Sequence, residues 1–549
     1  MEVRAPITAA DFEARLLARE PLEGVAVQGV DLRGQKLTGA SLRNCLVADS
    51  YLTGVDLTGA DLADSVFHQC EMTGCRLTNA ELSKTNFIQT VLADAEWGGA
   101  NLTESNFVHS DLQRARFGDA ALAKLCFQQV ALTGANLGNA RLAECAFIQV
   151  DLRGVLLPKA CANVHFLRSD LSGLHLATKD FTGCTFQQAS LAGADLTRAR
   201  LDRAMFVETD LTGANLEGCP VAGAHFIDTA FPRQALLQSG LNGILIQGVD
   251  FNEIDFSGRT LDGCNFVECG FRKAKFARST LANGQFLNCN LEGADFRQAT
   301  VRYVVFHGSN LTGTDFSEAQ INGADYTNAN LQLTNFTRSK LYRTDFFNLD
   351  VSQTVIKDTT FEACALPKSK LAGRNLTNLN FTMSDLSKSD LSGADLSHTI
   401  IKQTAFREAN LEKAKLEGAR GQAADFSGAN LKEASLRDAV LPNSQFAGAN
   451  LEKTDFQKCN LDCTFLAKVK AVLTNFKEAK LTFAILANAD LDRANFTGAD
   501  LTRANLHGIR DKDTVWNQAN LKQVLRTDKD RHEAETWVPP PEADERKPK

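Results

Sequence analysis

The sequence predicts an all-β fold: a solenoid of short parallel strands with four sides to each coil. Three observations carry this prediction. An apolar residue, usually Leu or Phe, recurs every five residues from Leu22 to Leu157, and again from Phe166 to Leu521. Two positions before each of these centres sits a small residue, mostly Ala, Cys, Ser, Thr, Val or Gly. Finally, phenylalanines recur every twenty residues: Phe67, Phe87, Phe107, Phe127 and Phe147, then Phe166, Phe186, Phe206, Phe226, Phe266, Phe286 and Phe306, with Ile246 in the one gap and Tyr326 and Phe346 continuing the series.

A period of five fits neither the 3.6 of a helix nor the 2 of a long strand. Within each five-residue word, the small residue and the centre are two apart and share one face of an extended segment. The remaining positions are polar or Gly, as a corner requires. The centres number 28 through Leu157 and 72 from Phe166, and only Gly421 and Asp511 among them are not apolar. The twenty-residue aromatic column means four words to a coil. A second column, Phe256, Phe276, Phe296, Phe316 and Phe336, runs ten residues out of phase on the opposite face and resumes at Phe456, Phe476, Phe496 and Trp516. One hundred words give about 25 coils. At about 4.8 Å between stacked strands the rod would be roughly 120 Å long. The narrow interior explains the small-residue slot, which a Leu would overpack.

The words themselves, "ADLAD" from Ala60 and "ADLTR" from Ala194, resemble the A-(D/N)-L-x-x signature of pentapeptide repeat proteins. The resemblance covers roughly residues 22–521. It implies a right-handed quadrilateral parallel β-helix, a pentapeptide repeat solenoid.

Solenoid ends need capping. "TAADFEARLLARE" reads as a capping helix within residues 1–21: Thr8 with Asp11 resembles a capping box, and Phe12 and Leu16 share one helical face. Residues 22–157 form a first repeat segment, 158–165 a register break, and 166–521 a second segment. Residues 522–549 are expected to be a cap and a disordered tail, with Trp516, Val524 and Leu525 placed to close the rod. The break Pro158–His165 deletes one residue without losing the Phe column. Pro232–Gln247 keeps register but puts Gln234 and Ile244 in small-residue slots, as a loop or distorted coil.

No catalytic constellation is visible. There is no phosphate-binding Gly loop, paired-His motif or nucleophile elbow. The nine histidines are scattered, and His165, His175 and His225 sit at outward positions. Eleven of the 14 cysteines occupy small-residue slots, where cysteine acts as a small hydrophobe. Their spacings are the repeat's and not a zinc site's. No catalytic residue, cofactor or metal is expected. Lys179, Arg259 and Arg374 occupy nominally inward slots, which either bulge outward or form a ligand-facing basic site, since a buried unpaired charge is costly. With Trp537, in the tail motif "TWVPPP", they are the candidate partner-binding residues. An enzyme would need a cluster at the breaks, such as Lys159, His165, Lys179 and Arg259.

A net charge of −7 over 549 residues, with 59 Lys and Arg, argues against a general nucleic-acid binder. No apolar run is long enough for a membrane span and the N-terminus is not a secretory signal, so the expected compartment is the cytoplasm. The favoured reading is a non-enzymatic protein-binding scaffold or adaptor, monomeric or an end-to-end dimer. "LLAREPLEGVAVQGVDLRG" looks like the N-terminal part of pentapeptide proteins that accompany bacterial type VI secretion loci, which implies a cargo-loading role. Two alternatives stand. One is a DNA mimic, as in the quinolone-resistance members of the family, dimeric acidic rods that bind DNA gyrase; this chain is longer and its charge more balanced. The other is a secreted effector on a β-helix scaffold.

Overall fold

The computed structural model describes residues 5–230, 240–346 and 349–537. The chain divides into two compact units, Met1–Ile254 with Thr260–Gly270, and Asp255–Arg259 with Phe271–Lys549. Each is a right-handed quadrilateral parallel β-helix. The register is the twenty residues expected: Val47 lies beside Phe67, Phe67 beside Phe87, and Phe87 beside Phe107, all in parallel.

A coil is closed by backbone hydrogen bonds to its neighbour. The centre N–H donates to the carbonyl nineteen residues on, as Leu57 to Arg76 (2.8 Å), and the corner N–H does the same, as Gly59 to Thr78 (2.9 Å). The corner residue two after a centre nearly always has a left-handed backbone. Gly serves there without strain, as Gly54 at φ 68°, but Asp64 at φ 60° and Lys84 at φ 59° serve as well.

Two kinds of corner occur. Where the third N–H after a centre donates back to it, as Ala60 to Leu57 (3.0 Å), only one residue remains extended and coils meet by single bridges. Where that bond is absent, as after Phe67 and Phe87, three residues stay extended and form a strand such as Val66–His68. Regular strands mark about 17 turns, fewer than the 25 coils that the word count implies. From Asn380 onward the coils meet through isolated parallel bridges alone, among the described residues.

The interior holds the centres and the slots. In the first unit the Phe column is stacked without interruption from Phe67 to Phe226, with centroids 4.8–5.4 Å apart, from Phe127–Phe147 to Phe107–Phe127. In the second unit the two columns meet edge to face, as Phe296 against Phe306 at 89°. Offset stacks and T-shaped contacts are the favoured ring geometries. At the exceptional centre Gly421, a Cβ would lie 2.6 Å from Ile401 and 2.9 Å from Leu441, so the neighbouring coils already fill its place.

The slots are more than small. Their hydroxyls donate to the centre carbonyl 23 residues earlier, Ser65 to Leu42 (2.6 Å), Thr85 to Leu62 (2.8 Å) and Ser105 to Leu82 (2.6 Å). Cysteine thiols do so more weakly, as Cys264 to Leu241 (2.8 Å). Ser, Thr and Cys therefore bury without an orphaned donor.

On the outside, Asp and Asn before the centre fold back on their own chain. Asp195 Oδ1 accepts both the N–H (3.0 Å) and the hydroxyl (2.6 Å) of Thr197. Hydrogen bonds from Thr197, and from Thr58 to Asp56, hold these carboxyls below the ordinary aspartate range.

The register break is shorter than expected. Cys161 and Val164 are buried and take up centre and slot, so one residue is lost between Leu157 and Cys161, and Phe147 pairs with Phe166. In the Pro232–Gln247 stretch, Gln234 and the rest of residues 231–239 lie outside the described residues. Ile244 is buried in its slot and Leu245–Gln247 is a regular strand.

The N-terminal cap is as expected. Helix α1 (Ala9–Leu17) starts at Thr8, whose hydroxyl accepts from the Asp11 N–H at 3.2 Å, and Phe12 and Leu16 are buried. The C-terminal end differs. Lys529–Thr536 forms a second helix, α2, where a disordered tail was expected, because Asp528 caps it through the Arg531 N–H (3.1 Å) and Arg531 pairs with Glu535. Trp516 stacks on Phe496 at 4.5 Å, but Leu525 is exposed and closes nothing.

The Tyr326 hydroxyl is buried with no hydrogen-bond partner among the described residues. Tyr326→Phe, restoring the column's usual residue, should stabilise the protein by about 1 kcal/mol in chemical denaturation. The turn aspartates give a pH signature. Because their folded pKa values are depressed, their contribution is complete above the unfolded value of about 3.9 and is lost as pH falls through the folded value. The melting temperature should stay flat from about pH 7 to 5 and fall below about pH 4, with Asp56→Asn and Asp195→Asn together reducing that fall.

Candidate functional site

Lys179 and Arg374 do not bulge outward, and neither projects into the interior as a free charge. Both are half-buried and turn onto backbone carbonyls of the preceding coil. The Lys179 Nζ donates to the carbonyls of Leu157 (2.7 Å) and Pro158 (3.3 Å), at the register break. The Arg374 guanidinium donates to Ser352 and Thr354. Each is a long version of the slot hydroxyl, reaching 20–22 residues back to carbonyls that a defect has left without their ladder partners. Arg259 alone behaves as the bulge expectation has it: its side chain is exposed while its backbone stays in the ladder through the Thr280 N–H. Lys179 belongs to the first unit, Arg259 and Arg374 to the second.

At Arg374 the wall of the second unit opens. On the side through Ile356 the coil pairs normally with the coil before it, Phe336 N–H to Val355 (2.7 Å) and Arg338 N–H to Lys357 (2.9 Å). The coil through Leu376 pairs normally with the coil after it, Leu376 N–H to Asp395 (2.8 Å) and Asn378 N–H to Ser397 (3.1 Å). Between the two, the bonds that the register calls for are not made: Ile356 N–H to Asn375, Asp358 N–H to Thr377, and Asn375 N–H to Thr354. A cleft of about 520 Å³ occupies the gap, lined by Thr354, Ile356, Asp358, Arg374, Asn375 and Thr377 among others. Burial draws the Arg374 guanidinium below its usual pKa.

A second feature lies on the C-terminal coils of the same unit. The outward positions that elsewhere carry Asp, Asn or Thr hold Phe465 and Ile485, twenty apart, and the adjoining corner holds Cys463 and Phe483, also twenty apart. Phe483 is 51% and Ile485 37% exposed, and Phe465 is half-buried. Ala467 and Ala487 continue the apolar surface along the same face. Arg503 rests over the Phe483 ring at 5.4 Å.

Helix α2 is pinned beside this surface. The Asp528 N–H donates to His507 Nδ1 (3.2 Å), His507 Nε2 faces the Glu535 carboxylate (3.4 Å), and the Asn488 amide donates to the same carboxylate (3.5 Å). His507 is only 3% exposed. This anchoring leaves Trp537, the residue after the helix, 69% exposed. The sequence reading singled out Trp537 but missed His507, Glu535 and the four-residue apolar patch. Writing the chain in rows of twenty would have revealed the patch, since its members break the polar pattern in two adjacent columns.

Chemistry is otherwise sparse. The slot cysteines are buried, and burial pushes the thiols of Cys75 up to about 12 and of Cys70 and Cys219 up to about 11. Cys463 is the one exposed thiol among the described residues. His165 and His175 are exposed and His225 half-buried, as outward positions should be. No group of three or more metal-ligating side chains occurs among the described residues, and no helix there is long and apolar enough to cross a membrane.

These coils, corners and faces define a parallel β-solenoid repeat protein. The chain belongs to the pentapeptide repeat family. The family's model, "Pentapeptide repeats", matches eight stretches, 48–79, 80–119, 126–161, 180–218, 356–393, 389–420, 424–462 and 474–510, and a "Pentapeptide repeat region" model matches 279–354. No curated protein matches the chain. Among solved structures it is similar to HetL, a pentapeptide repeat protein involved in heterocyst differentiation regulation from the cyanobacterium Nostoc sp. strain PCC 7120, at 21% identity over 51% of this chain and 91% of that one, with a TM-score of 0.16. It is similar to QnrB1, a plasmid-mediated fluoroquinolone resistance protein, at 16% identity over 44% and 91%, with a TM-score of 0.19. A pentapeptide repeat protein of the Arabidopsis thaliana thylakoid lumen matches at 30% identity over 16% and 66%, with a TM-score of 0.15.

The exposure pattern makes a direct chemical prediction. A water-soluble maleimide applied to the native protein should modify Cys463 first, and Cys463→Ser should remove the fast phase, leaving the slot thiols to react only on unfolding. Mass mapping of the early adduct checks this.

Proposed function

We propose that the chain is a non-enzymatic protein-binding scaffold whose partner docks on the C-terminal apolar surface formed by Cys463, Phe465, Phe483 and Ile485. One observation supports this most: two adjacent outward columns turn apolar together, on coils whose interior is already fully packed. Nothing in the solenoid's own packing requires an exposed Phe483, and a contiguous exposed apolar patch is the usual mark of a partner site. Trp537, held out at the end of a helix anchored at Asn488 and His507, adds an exposed side chain of the type most enriched at binding hot spots.

The finer form of this reading is a bacterial type VI secretion accessory that carries or loads cargo, supported by the N-terminal resemblance alone. The gyrase-binding alternative draws less support from the surface. Many outward carboxylates are tied into their own turns, and others pair with basic neighbours, as Arg510 does with Asp490 and Asp492. The same surface would serve an effector scaffold. All three place the chain among binding proteins and none requires catalysis.

The apolar surface should decide partner binding. In mild pull-downs from the native host, the full chain should retain a specific secreted or spike-associated partner, and Phe483→Ser with Ile485→Ser should lose it while far-ultraviolet circular dichroism stays unchanged. Retention of the same partner by the double variant would remove this surface from the account. Gyrase supercoiling unaffected by the protein is expected on the secretion reading, and inhibition or protection would favour the alternative.

A further inference from the structure

The opened wall at Arg374 is distinct from the C-terminal surface. Its two lips are backbone edges. On one, the N–H groups of Ile356 and Asp358 face the cleft. On the other, the carbonyls of Asn375 and Thr377 and the Asn375 N–H do so. None of these groups makes a backbone bond across the gap. In each lip the groups belong to residues two apart, the spacing at which a strand presents successive hydrogen-bonding groups to one neighbour. An unpaired ladder edge is a template for an added strand.

The charge inside the cleft is equally specific. Among the described residues the Arg374 guanidinium bonds only to the carbonyls of Ser352 and Thr354. No carboxylate pairs with it among the described residues, although Asp350 pairs with Lys370 nearby. A half-buried guanidinium bonded to neutral oxygens alone retains N–H groups and a full charge for an anionic partner. Behind it the wall is apolar, with Val351, Ile356, Leu371 and Phe381 among its residues.

We propose that this slit binds an extended peptide that carries a carboxylate, the peptide backbone pairing with the two lips as an inserted strand and the carboxylate meeting Arg374. The Ile356 and Asp358 N–H groups donate to peptide carbonyls, and the Asn375 and Thr377 carbonyls accept from peptide N–H groups. A nucleotide or an acidic sugar would satisfy the charge but not the alternating donors and acceptors. The defect also explains why an arginine is tolerated in a slot built for alanine: it occupies carbonyls that the missing ladder has stranded, and holds the wall open.

Residue-resolved amide exchange and peptide binding test this together. The probe is a labelled heptapeptide of alternating threonine and valine with a central aspartate, compared with the same peptide carrying asparagine there. In the free protein, the amides of Ile356 and Asp358 should exchange at least tenfold faster than those of Phe336 and Arg338, and the aspartate peptide should slow them at least tenfold. The asparagine peptide should bind at least tenfold more weakly to the unaltered protein. Arg374→Ala, which restores the ordinary slot residue, should close the ladder, protect Ile356 and Asp358 without peptide, and weaken peptide binding at least tenfold. Ile356 and Asp358 as protected as Phe336 and Arg338 in the free protein, equal binding of the two peptides, or no binding at millimolar concentration would each overturn the proposal.

Discussion

The interaction on which the rest depends is the hydrogen bond from a centre N–H to the carbonyl nineteen residues on. It sets the coil at twenty residues, and that number fixes everything inside. Rings twenty apart must stack, side chains two apart must share the interior, and the corner residue must take a left-handed backbone to turn the chain through each side. Stability is then largely a sum of coil-to-coil terms. The same geometry supplies a second acceptor role for the centre carbonyl, which slot hydroxyls and thiols use from the following coil. That is why a narrow apolar interior accepts so many Ser, Thr and Cys residues without buried orphans.

Defects follow the same logic. Where one residue is lost after Leu157, or where the wall parts after Ser352, carbonyls lose their ladder donors. In both places a cation from the next coil's slot replaces them. Lys179 and Arg374 read in the sequence as anomalous inward charges, yet they are continuous with the hydroxyl contacts of ordinary slots: the same position, a longer reach, a more exposed carbonyl. They differ in consequence. Lys179 tidies a corner, whereas Arg374 stands in a cleft whose lips are unpaired.

The fold was legible because its signal is repeated a hundred times and depends on local residue size. Phe67 through Phe306 could be placed in their columns from spacing alone, and α1 from Thr8, Asp11, Phe12 and Leu16. The candidate sites were legible only in part. Arg374 stood out as a charge in the wrong slot, but the opening beside it depends on three absent hydrogen bonds, and a missing bond leaves no residue type to read. The apolar surface at Phe465, Phe483 and Ile485 was obscured because each member sits in its own otherwise polar word. Helix α2 was missed because its composition is polar throughout. Its position depends on single contacts with His507 and Asn488, not on an apolar stripe.

The twenty-residue coil as the unit of stability is tested most directly by lengthening the second unit. One variant receives a second copy of residues 427–446, a whole coil, and another receives the same block shortened by two residues; thermal unfolding of both is followed by far-ultraviolet circular dichroism. The whole-coil insertion should melt within a few degrees of the unaltered protein, because every ladder bond and ring stack is preserved, and the shortened one should melt markedly lower. Equal melting temperatures for the two variants would contradict the account.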